Sequence, residues 1–93
     1  MTTFVLPEAL TIASVRSLRT DLLECFDGRP PYALDGRAVE DVDGAGVQLL
    51  LAAVHELKPR GQPLQITPSH ALRDTLERLA VLDRFIVANE AVA

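Results

Sequence analysis

Residues 41–46 read Asp-Val-Asp-Gly-Ala-Gly and run without a break into the apolar stretch Val47–Val54. An acidic, glycine-punctuated turn that opens a helix is a place where a group can be bound or modified. This turn carries the carboxylates of Asp41 and Asp43 but neither a hydroxyl nor a lysine. A phosphate-cradling loop of the GxxxxGK[ST] type therefore lacks both its lysine and its magnesium-binding hydroxyl. His55 and His70 fall in no HExxH pattern and there is no CxxC, so no metal is expected. Ser14, Ser17 and Ser69 lack a GxSxG elbow, and Cys25 falls in an amphipathic stretch as a small core or boundary residue. Asp35, Asp41 and Asp43 are close in sequence, but paired-carboxylate chemistry needs two carboxyls facing each other across a cleft. The pattern predicts no enzyme and no cofactor.

The elements that must position these residues follow from periodicity. Residues 2–7 are β-rich and closed by proline, and 9–12 read as a second short strand. From Thr11 the period becomes helical: Val15, Leu18, Leu22 and Phe26 share a face, Thr11 can cap it, and Gly28 with Pro30-Pro31 stops it. Residues 32–36 read as a strand and 39–46 as a connection. A second helix then starts at Gly44 or Ala45 and runs to about Lys58, with Val47, Leu50, Leu51, Val54 and Leu57 on one face. Leu64 and Ile66 alternate with Gln65 and Thr67, the pattern of a half-buried strand. Residues 68–82 form a third helix with a Leu72, Leu76, Leu79 stripe, Thr67 or Ser69 as its cap and Pro68 in its first turn. Arg73–Glu77 and Asp74–Arg78 are opposite-charge pairs on it. The order β-β-α-β-α-β-α predicts an α/β fold, a mixed four-stranded sheet covered by three to four helices. It forms one domain over 1–93, its tail 83–93 docked through Phe85, Ile86 and Val87.

Composition narrows the function classes. The chain has 93 residues and a net charge of −4, with its nine basic residues scattered, so it offers no nucleic-acid surface. Its longest apolar run is too short to cross a bilayer, and Met1-Thr2-Thr3 does not begin a signal peptide. A single cysteine rules out an internal disulfide and suits a reducing cytoplasm.

The segments "LPEALTI", "LDGRAVEDVDGAGVQLLL", "RGQPLQITPS" and "ALRDTLERLAVLDRF", in this order, resemble a STAS domain, from about Phe4 to Phe85. This is the module of bacterial anti-sigma-factor antagonists and of the STAS subunits and tails of certain transporters. In that family a V-D-S-x-G-L turn opens the second helix, and Val42, Asp43, Gly44, Ala45, Gly46 and Val47 stand at the matching positions. The family serine is phosphorylated by a partner kinase, the anti-sigma factor itself, and phosphorylation switches binding off. Here that position is Gly44, so the phosphoacceptor is lost; Asp35 matches the strand aspartate, and Thr11 stands where many phosphorylated members have an aspartate.

The resemblance implies a non-catalytic signalling module acting in transcription regulation, which binds a protein partner through Thr11, Asp43, Gly44, Ala45, Gly46, Gln48, Leu49 and Ser69. Leu49 and Ala52 beside Gln48 would form an apolar strip on the outer side of the second helix. The partner would be an anti-sigma kinase-like protein. The alternatives are the ATPase subunit of a phospholipid-trafficking ABC transporter, a chemotaxis-cluster role, or pairing as a homodimer. Two readings of the glycines stay open. Gly44 either bares the amides of Ala45 to Val47 to an incoming group or permits a positive φ in a tight turn, and Gly46 allows close helix–sheet packing. Nucleotide binding at the turn is disfavoured, because Asp41 and Asp43 repel phosphates.

Overall fold

The structure, a computed structural model, describes residues 1–88, so the part of the expected tail at 89–93 lies outside the described residues. Strand β1 (Thr2–Val5) is followed by a short β2 (Ala9–Leu10) and helix α1 (Val15–Cys25). Strand β3 (Tyr32–Gly36) leads through β4 (Asp41–Val42) into α2 (Gly44–Leu57). A 3-10 turn (Lys58–Arg60), β5 (Leu64–Pro68), α3 (His70–Arg78), a second 3-10 turn (Leu82–Arg84) and β6 (Ile86–Val87) complete the order.

The main sheet runs β1-β3-β5-β6 with every pair parallel, which corrects the expected mixed sheet. The correction comes from β2, which leaves the main sheet and pairs with β4 in a separate parallel ribbon. Strand β6, hidden in the tail pattern, takes the fourth place beside β5, Gln65 opposite Ile86. Because the order never reverses, right-handed crossovers carry every helix to the same face. Burial agrees: Tyr32, Leu34, Leu64 and Ile66 are buried, whereas Ala33, Asp35, Gln65 and Thr67 are only partly covered on the other side. Beneath the helices, Leu34, Leu50, Leu57, Ile66, Leu72 and Leu76 close the core. The end of α1 is pinned where Tyr32 packs edge-on against Phe26, centroids 5.3 Å apart, and donates its hydroxyl to Gly28 O at 2.8 Å.

Three expected boundaries move. Helix α1 starts at Val15, not at Thr11: Ser14 is its N-cap residue and makes no side-chain cap bond. Instead the Ser14 hydroxyl accepts from Thr11 N (3.1 Å), while Thr11 contributes its carbonyl to the amides of Ser14 and Val15. Pro68 ends β5 and does not enter the third helix, which Ser69 caps by accepting from Leu72 N at 3.1 Å. That helix stops at Arg78, so Leu79 leaves the expected stripe and is 52% exposed. In the tail, Phe85 is buried and Val87 packs on the core, while the Ile86 side chain faces solvent.

A candidate partner-docking site at the start of the second helix

Parallel strands send all their carboxyl ends to one edge, and the connections that follow them gather there. At this edge β2 pairs with β4, Leu10 opposite Val42, so the loop after β2 lies against the turn that opens α2. Asp43 joins the two. Its backbone is extended, its carboxylate Oδ1 accepts from Gly46 N and its Oδ2 from Ile12 N, each at 3.0 Å. The amides of Ile12 and Gly46 hold the Asp43 carboxyl below its usual range. A carboxylate held low in this way stabilises the fold above its unfolded pKa, and that contribution is lost as the pH falls through the lowered value.

The expectation that the amides of Ala45 to Val47 lie bare is corrected by this geometry. Gly46 N–H is already taken by the Asp43 carboxylate and Val47 N–H by Asp43 O at 3.1 Å. An incoming anion would meet a carboxylate at the helix start, so the turn does not work by capturing phosphate or carboxylate.

The two glycines now separate. Gly44 is exposed, has no positive φ, and a Cβ built on it meets nothing within 4 Å. Its glycine is therefore not demanded by backbone or packing. Gly46 is buried, and a Cβ there would collide with the Leu10 carbonyl oxygen and come within 2.8 Å of the carbonyl carbon. Close packing explains Gly46 and leaves Gly44 as an uncovered helix start.

Around this start the structure places Thr11 and Ala45, both half-buried, and Gln48, which is exposed. Sequence reasoning misses Ile12, which is 71% exposed and stands beside Asp43. Patterning counts it as a strand residue, and only the β2–β4 pairing reveals that the chain has already left the strand. Ser69 belongs to the neighbouring junction, where its hydroxyl donates to Val39 O at 2.6 Å. Leu49 moves out of the expected outer strip: it is 8% exposed and lies in a groove between α1 and α2, opposite Val15 and Arg19. Asp35 is spent elsewhere, in a two-pronged pair with Arg37 at 2.9 and 2.8 Å on the uncovered side of the sheet. That pairing lowers its pKa.

Among the described residues no charged side chain is buried, the Tyr32 hydroxyl is satisfied by Phe26 O and Gly28 O, and no group of three or more His, Cys, Asp or Glu could hold a metal ion. Cys25 is the last residue of α1, and burial raises its thiol pKa, the opposite of activation.

The result is a small α/β domain whose strand-end loops gather beside the exposed Gly44 at the start of α2. The sequence model of the family described as "Mlab, STAS domain" matches residues 2–88, and the chain belongs to this STAS family. STAS domains are generally non-catalytic and often act through protein interactions. A search of curated proteins found no match. Among the described residues no helix is long and apolar enough to cross a membrane.

Proposed function

We propose that this chain is a non-catalytic STAS module that docks a cytoplasmic protein partner through the Ile12–Asp43–Gly44 surface and the exposed start of α2. The observation that carries the reading is Gly44: it stands at the family's phosphoacceptor position, is exposed, and is required by neither φ nor packing. A side chain that is absent without structural need leaves the helix start open to the backbone or an apolar group of a partner. With no hydroxyl there, binding cannot be switched off by phosphorylation of this turn. In the antagonist form of the reading the partner is an anti-sigma kinase-like protein, held until competition or a change in the partner releases it.

A second partner fits the same surface: the ATPase subunit of a phospholipid-trafficking ABC transporter. The lost phosphoacceptor favours it, since a subunit that tunes an ATPase needs contact and not a phosphoswitch. A native pull-down with the chain and with Gly44→Arg as baits tests both readings. Open space around Gly44 lets the arginine project without disturbing the fold, so the variant is expected to lose the partner and keep its melting temperature. Recovery of a small kinase-type ATP-binding protein supports the antagonist reading, and recovery of an ABC ATPase supports the other. Equal capture by both baits rejects this docking end.

A further inference from the structure

We propose that the hollow at the opposite end of α2 is a binding site for a small organic phosphate monoester. The hollow measures about 310 Å³, at the low end of the range for small-molecule sites. Its lining is divided by chemistry. Leu51, Val54 and Pro63 supply apolar surface, and His55, Lys58, Arg84 and Gln62 supply hydrogen-bond donors.

Among the described residues Lys58, Arg84 and His55 line this hollow and no carboxylate does, in a chain with 13 Asp and Glu against nine Lys and Arg. The nearest acids in sequence turn elsewhere. Glu56 lines the groove between α1 and α2, and Asp83 is exposed outside the lining. None of His55, Lys58 and Arg84 is in an ion pair with another described residue. A basic residue at a helix C-terminus has an ordinary explanation, because it opposes the negative end of the macrodipole. That accounts for His55 and Lys58, the last-turn residue and C-cap of α2. It does not account for Arg84, which reaches the hollow from the 3-10 turn after α3.

The convergence suits a phosphate oxyanion. Arg84 provides a planar fork, Lys58 a point charge, and Gln62, in the connection that follows Lys58, an amide donor. The apolar lining asks for more than inorganic phosphate, which would leave Leu51, Val54 and Pro63 uncovered. The ligand is therefore a phosphate carried on a short apolar or aromatic group. At 1.5 Å per residue the site lies roughly 15 Å along α2 from the docking turn, so a bound ester leaves that turn accessible.

The test is a ¹H–¹⁵N NMR titration of the full chain with phenyl phosphate and, separately, with inorganic phosphate. Saturable shifts are expected at Leu51, Val54, His55, Lys58, Gln62 and Arg84, with phenyl phosphate binding about five- to tenfold more tightly than inorganic phosphate. Lys58→Ala and Arg84→Ala, both at exposed positions, should each weaken phenyl phosphate about fivefold or more, and Arg16→Ala in the α1–α2 groove should not. Unsaturating shifts, shifts spread over all basic residues, equal affinity for the two probes, or an indifferent Arg84→Ala would each overturn the proposal. Vesicles of phosphatidylcholine with and without phosphatidic acid tell the sources apart. Arg84-dependent sedimentation with phosphatidic acid assigns the ester to a lipid headgroup. Phenyl phosphate binding without sedimentation assigns it to a soluble compound, and binding of neither overturns the site.

Discussion

Gly44 and Gly46 stand two positions apart on one helix and do opposite things. The sequence leaves two explanations for Gly44 and offers close packing for Gly46, because a glycine shows only that a side chain is missing and not what would have occupied its place. Gly46 is decided by Leu10, far off in the chain, whose carbonyl group lies where a Cβ would go. Backbone atoms held in the β2–β4 pairing cannot swing aside as a long side chain could, so Gly46→Ala should overpack the junction and cost about 1–3 kcal/mol. Gly44→Ser adds atoms to open space and restricts the unfolded chain, so stability should hold or rise by about 0.5 kcal/mol. Urea unfolding of both variants with an unchanged slope reads the difference directly. A Gly46→Ala domain as stable as the parent would mean that α2 can slide off Leu10, and that the close approach is not what fixes this glycine.

The interiors of the elements are legible in the sequence and the ends are not, for physical reasons that differ at each end. Of the face Val47, Leu50, Leu51, Val54 and Leu57 read at helical period, Val47, Leu50 and Leu57 are buried and Leu51 and Val54 partly so, with Ala53 joining the buried side. Ser69 caps α3 as its type and position suggest. The strand β4 has two residues, too few to show a period, and becomes visible only when Glu40 N and Asp41 N both donate to Glu8 O. The end of α3 is hidden because the residue that turns the chain is an alanine. Ala80 has φ 57°, Val81 N–H returns to Leu76 O and Ala80 N–H to Glu77 O, each at 3.0 Å. This is the helix stop that glycine normally makes. An L-residue in the left-handed region costs roughly 1–2 kcal/mol, and glycine gives part of that back as unfolded-chain entropy. Ala80→Gly should therefore raise stability by a net ~0.5–1 kcal/mol, seen as a higher urea midpoint with the same slope. A lower midpoint would mean that Ala80 does not hold the left-handed conformation in solution.

At the scale of the whole molecule, one rule generates both the core and the docking edge. Strands added always in the same direction, each by a right-handed crossover, place the three helices on one face and all the strand ends on one rim. The docking turn sits on that rim because β4 hands directly over to α2. The other face of the sheet carries Thr3, Val5, Ala33, Asp35 and Gln65 with no helix of the described residues against it, although parallel sheets are ordinarily covered on both sides. The alternation Leu64, Gln65, Ile66, Thr67 carries the signature of this half-burial, whereas the direction of pairing has no local signature, because it is set by where the crossovers return the chain. The two faces should then differ sharply under mutation. Leu34 is 1% exposed and Leu34→Ala should cost about 2–5 kcal/mol, whereas Val5, 65% exposed, should tolerate threonine within ~0.5 kcal/mol. Chemical unfolding of both variants at two protein concentrations makes the comparison. A loss at Val5 that approaches the loss at Leu34, together with stability that rises with concentration, would mean that a second chain covers this face in solution, since only association makes folding stability depend on concentration.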